Sequence, residues 1–238
     1  MFLLASLVAA ATQLLAVASA TDTALAVNRG GACGAGRATS PAVANDLRAA
    51  LDAHGGAVRW DLRRGPVRLW VQRRPARAAD VSVTGSEWRR VVATAADAWR
   101  GVVPGLAFAL EPDSARADVI VTWQRDLEGT PAVGELAFRT AGRTTLEPGN
   151  DGRALMAHVR LAVFAPGGVR YSVEDVRAVA RHELGHALGL AHHAAPTSVM
   201  APLIRAEQLT DEDRATLRAL YALPIGVRCP LPPPTPGT

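Results

Sequence analysis

The chain has 238 residues, 49% of them hydrophobic and 20% charged, with a formal net charge of +4. That composition fits a folded globular domain, and its glycine and proline are too few for a wholly disordered chain. All 26 basic residues are arginine, and they lie scattered among 22 acids without the basic stripe of a nucleic-acid-binding face.

Residues 2–20 are apolar apart from Ser6, Thr12, Gln13 and Ser19, and end in the small-x-small pattern Ala18-Ser19-Ala20. They read as a signal peptide spanning 1–20, which predicts a secreted product with no stable membrane span after cleavage. The alternative is an uncleaved leader that acts as a membrane anchor. Residues 21–58 read as an N-terminal arm or pro-segment, with one helical stretch around Ala42 to Ala53. The main domain follows at 59–223, and 224–238 is a proline-rich tail. Cys33 and Cys229 are the only cysteines. In an exported chain an even pair predicts one disulfide. Closing so long a loop stabilises by about 4–5 kcal/mol in the chain-entropy account.

Within the main domain, Val67, Leu69 and Val71 alternate as one face of a strand. Trp88, Val91, Val92, Ala95 and Trp99 recur at helical spacing behind Ser86, and Gly101 and Pro104 stop that helix. Leu106 to Leu110, Ala117 to Trp123, Gly134 to Arg139 and Ala154 to Phe164 are strand candidates, and Pro148 to Gly152 is a turn cluster. Ser172 with Asp175, and Thr210 with Asp213, open two further helices by the capping-box pattern. The first runs to about Leu188 and the second to about Tyr221.

The informative segment is Arg181-His182-Glu183-Leu184-Gly185-His186-Ala187-Leu188-Gly189-Leu190-Ala191-His192-His193. Four-residue spacing on a helix places His182 and His186 on one face, one turn apart, so both can hold one tetrahedral ion. Zinc needs a third protein ligand and keeps one position open. Gly189 can end the helix in a left-handed conformation and turn the chain back, bringing His192 to the metal. Glu183 adjoins the first ligand and faces the open position. There it can take a proton from water whose pKa the metal lowers toward about 7, and pass it on to a leaving amine. His193 competes for the role of third ligand, and the spacing from Gly189 favours His192. Met200 follows within Pro196-Thr197-Ser198-Val199-Met200-Ala201-Pro202.

On these residues the chain resembles the matrixins, a family of metzincin zinc peptidases, over about residues 59–222. The zinc segment and Ser198-Val199-Met200-Ala201-Pro202 carry most of the likeness. Arg59-Trp60, Ala117-Asp118-Val119-Ile120-Val121 and Leu209-Thr210-Asp211-Glu212-Asp213 add to it. The resemblance implies an α+β zincin fold, a twisted mixed sheet of about five strands with three main helices. It implies a methionine turn at Met200 as an apolar floor beneath the metal, and Pro202 as a wall of the substrate pocket. A protein or peptide substrate would bind extended along an edge strand, with Ala154 to Phe164 as the candidate edge.

The chain departs from the family in two ways. His158 is the only histidine between Trp123 and Arg181, so one catalytic zinc is expected and no second, structural one. Calcium is unsupported, because Asn150 and Asp151 suit a plain turn. The family's inhibitory cysteine motif is absent around Cys33, whose thiolate could still block zinc if it is not in the disulfide. The expected protein is a monomeric zinc endopeptidase without a nucleic-acid partner. The rival reading is a catalytically silent secreted binding module that keeps the zincin fold.

Overall fold

The computed structural model describes residues 39–73, 85–127, 141–165, 168–204 and 206–227. The leader, Cys33, Cys229, the strand expected at Gly134 to Arg139 and most of the tail lie outside these residues.

Five strands form one sheet: β1 (Val67–Val71), β2 (Phe108–Leu110), β3 (Val119–Gln124), β4 (Gly142–Pro148) and β5 (Ala154–Ala162), in the order β2-β1-β3-β5-β4. The first four in that order run parallel, and β4 pairs antiparallel with β5. Alternation sets the faces. Val67, Leu69 and Val71, then Val119, Val121 and Trp123, then Ala157, Val159 and Leu161 are buried, while the residues between them are more exposed.

Among the described residues four α-helices accompany the sheet: α1 (Pro41–His54), α2 (Gly85–Asp97), α3 (Val173–Ala187) and α4 (Asp211–Ala222). Three of them are the expected main helices, and α1 is the short stretch expected near Ala42. In α2 the helix begins one residue ahead of Ser86, which therefore lies in its first turn. Both expected capping boxes are present, Ser172 with Asp175 and Thr210 with Asp213. Caps of this kind contribute about 1 kcal/mol each. Indole N–H groups tie the layers together: Trp99 Nε1 donates to Arg181 O (3.0 Å) and Trp60 Nε1 to Ala187 O (2.8 Å).

One strand differs from expectation in a way that bears on function. Ala154 to Phe164 is not the edge, because β5 lies between β3 and β4. The edge strand beside it is β4, which the sequence pattern does not reveal. Its residues Gly-Arg-Thr-Thr-Leu-Glu-Pro hold one large apolar side chain, so there is no alternation to read. Asn150 and Asp151 sit in the β4–β5 turn, where Asp151 Oδ1 accepts the Arg153 N–H (3.0 Å).

Candidate active site

Helix α3 presents His182 and His186 one turn apart, as its periodicity requires, with their Nε2 atoms 3.0 Å from each other. Past the helix, Gly189 takes φ 97°, which an L side chain resists, and a Cβ there would also lie 2.4 Å from Val58 O. The reversed chain carries His192 back over the helix face. Its ring centroid lies 5.3 Å from that of His182 and 4.8 Å from that of His186. One ligand atom from each of the three histidines falls within 4.8 Å of the others.

The tautomers follow from the partners. His182 Nδ1 donates to Val199 O (2.7 Å) and His186 Nδ1 to Leu190 O (2.8 Å). A carbonyl can only accept, so both rings carry their proton on Nδ1 and turn a bare Nε2 lone pair inward. Two such lone pairs at 3.0 Å repel unless a cation lies between them, so the donor set fits a metal ion. Burial holds both imidazoles neutral at pH 7, with pKa values lowered to about 3 for His182 and about 4 for His186.

Glu183 lies buried beside this cluster. Burial pushes its carboxyl up to about 7, while the Thr144 hydroxyl and the Arg143 charge pull it down. Thr144 Oγ1 donates to Glu183 Oε2 (2.6 Å) and also lies 3.0 Å from Glu183 O. Close by on the same strand, a Cβ on Gly142 would lie 2.4 Å from Glu183 Oε1. The edge strand thus holds the carboxylate with a hydroxyl and makes room for it with a glycine.

Met200 is buried, and its Sδ presses against Gly185. Its turn is fixed from α4. The buried Asp213 accepts from the Ser198 hydroxyl and from Val199 N (3.3 Å), and the Ser198 hydroxyl oxygen accepts from Met200 N (2.9 Å). Pro202 is exposed and lines a cleft of about 360 Å³ with the three histidines, Glu183, Gly142 and Thr144.

The structure brings together His182, Glu183, His186, His192, Met200 and Pro202. It takes two other histidines elsewhere. His193 is buried against Asp46 with Nε2 2.7 Å from Oδ2, so it points away from the cluster. His158 is registered with Thr145 on the sheet face opposite Thr144, with Nε2 3.8 Å from Glu147 Oε1. Four contributors escape a reading of the sequence. Gly142 and Thr144 lie on a strand without a pattern. His54 is the last residue of α1 and lines the cleft. Asp213 is visible only as a helix cap.

The family model for matrixin matches residues 76–222. The chain belongs to the matrixin family. Its sheet and helices are those of a matrixin catalytic domain. Matrix metalloproteinase-16 of Rattus norvegicus is 30% identical over 162 residues, 63% of this chain and 25% of that protein, and the Mus musculus protein matches to the same extent. Matrix metalloproteinase-25 of Homo sapiens is 44% identical over 54 residues, 20% of this chain and 10% of that protein. This matrixin thus spans about a quarter of the length of the matrix metalloproteinase-16 relatives. Among its described residues no helix is long and apolar enough to cross a membrane.

Proposed function

We propose that this chain is a secreted zinc endopeptidase that cleaves extended segments of protein or peptide substrates, with no covalent enzyme intermediate. The observation that carries the reading is the convergence of three imidazoles and one buried carboxylate beside an edge strand. His182, His186 and His192 hold one zinc ion, and the inward lone pairs support that ligand set. Bound there, zinc is a Lewis acid that polarises a carbonyl, lowers the pKa of water toward about 7 and favours the ionised form of a nearby carboxyl.

Glu183 is the general base. Its carboxylate takes a proton from water in the cleft as the water oxygen adds to the scissile carbonyl carbon. It then returns that proton to the amine as the C–N bond breaks. Substrate lies along β4, whose outer backbone groups pair with no strand among the described residues, and main-chain hydrogen bonds supply affinity. Pro202 walls the pocket, and Met200 is the apolar floor under the ligand helix. The test is hydrolysis of casein by the purified chain. Activity should vanish with a chelator and return on adding zinc.

Thr144 tunes the base in this scheme. Its hydroxyl stabilises the ionised carboxylate, so Thr144→Val raises the Glu183 pKa. Activity falls as pH drops through that pKa, so the acid limb of kcat/KM moves to higher pH. A hydrogen bond to a charged group is worth about 1.5–3 kcal/mol and each pKa unit 1.36 kcal/mol, so a shift of about one to two units is expected. An acid limb that stays in place separates Thr144 from the base.

The leader-like segment 1–20 supports export, and an oxidising compartment supports a Cys33–Cys229 disulfide. Protein recovered from such a compartment should yield no thiol to alkylation before reduction. Two alkylated cysteines reject the bond.

A further inference from the structure

The three histidines of the proposed metal site are not held alike. His182 and His186 are fixed twice, by helix α3 and by a carbonyl on each Nδ1. His192 lies on irregular chain, is exposed, and its ring makes no hydrogen bond among the described residues. Its position depends on the backbone around it, and that backbone is anchored through the next residue.

His193 is buried and held at three points. Its N–H donates to Met200 O (2.9 Å). Its Nδ1 accepts the Ala195 N–H (2.8 Å), so the ring proton lies on Nε2. That Nε2 faces Asp46 Oδ2 at 2.7 Å. Both of these atoms are buried and make no hydrogen bond among the described residues, so they meet as a close charge contact, with Glu212 Oε2 3.7 Å from the same nitrogen. Asp46 belongs to α1, which packs on α4 and precedes the 76–222 matched to the matrixin model. The chain leaving α1 adds a second brace, since Val58 O lies against the Gly189 turn that starts the loop.

We propose that Asp46 is a positioning residue for the metal site: through His193 it holds the loop that presents His192, and α1 is a working part of the catalytic domain. The proposal rests on the three-histidine reading above. Asp46 does not touch the metal or the substrate. It fixes the backbone next to the one ligand that lacks an anchor of its own.

The test measures zinc affinity of the full chain by competition with a fluorescent chelator, with melting temperature of the metal-free protein as a check on folding. Removing a group that supports a metal ligand commonly weakens binding about 10–100-fold, and that loss is expected for Asp46→Ala. His193→Ala should lose as much as Asp46→Ala, and the double variant no more than either. Wild-type zinc affinity in a folded Asp46→Ala overturns the proposal. Should that variant fail to fold, wild-type affinity in Asp46→Ser, too short to reach the ring, does the same. A fully active form whose N-terminus lies beyond Gly56 by intact mass also overturns it. A wild-type chain that binds no zinc overturns the three-histidine reading instead.

Discussion

Glu183→Gln is expected to abolish proteolysis while leaving fold and zinc content in place. Glutamine has nearly the same shape, but its amide cannot take a proton from water at neutral pH. The Thr144 hydroxyl that now donates to Glu183 Oε2 can still donate to the amide oxygen. The buried position therefore keeps its partner, and the variant should stay folded. General acid–base catalysis is worth about 10²–10⁴ in rate, and one residue serves two proton transfers here, so the loss should reach or pass the upper end. Casein hydrolysis and zinc content measured on the same preparations decide the matter. More than about a tenth of wild-type activity in the variant, far above that expected residue, would remove Glu183 as the base. Wild-type hydrolysis itself would reject the silent binding module.

The second large effect is on metal content. Wild-type protein should hold one zinc per chain, and His182→Ala, His186→Ala and His192→Ala should each lose it at micromolar concentration. Zinc sites of four protein ligands bind with about 10–16 kcal/mol in all, roughly 2.5–4 kcal/mol per ligand. At 1.36 kcal/mol per decade, one ligand lost weakens binding by roughly 10²–10³-fold. That exceeds the effect expected at Asp46 or His193, which act through the loop, so the rank order separates ligands from supports. Elemental analysis after dialysis against a weak chelator measures it. His192→Ala that retains zinc, with loss in His193→Ala, would exchange their roles. Two tightly held ions would reveal a structural site that the single histidine between Trp123 and Arg181 argues against.

The fold and site were legible in unequal parts, for physical reasons. Helix α3 announces itself because its start, its ligands and its end are local: Ser172 and Asp175 cap it, His182 and His186 share a face, and Gly189 reverses the chain. Strands β1 and β3 alternate because one face is buried. Edge strand β4 is hidden because much of it stays in solvent, and burial is what leaves a pattern. Thr144 and Gly142 were illegible with it. Their importance comes from which strand lies beside Glu183, a fact of topology that spacing does not contain. The role of Asp46 is more remote still, since it meets His193 across 147 positions, 193 minus 46. Charge and position alone make Asp46 one more polar residue on an amphipathic helix.

The outer edge of β4, unpaired among the described residues, also bears on the protein's own survival. A row of unpaired N–H and C=O groups is a template for any extended chain, including another copy of the protein, and such contacts seed aggregation. β4 carries exposed Arg143 and Glu147, and ends in an irregular step at Glu147 and Pro148. Charges, proline and irregular steps are the usual defences of an exposed edge. The strand is thus open enough to hold a passing segment and too charged and too irregular at its end to nucleate a growing sheet.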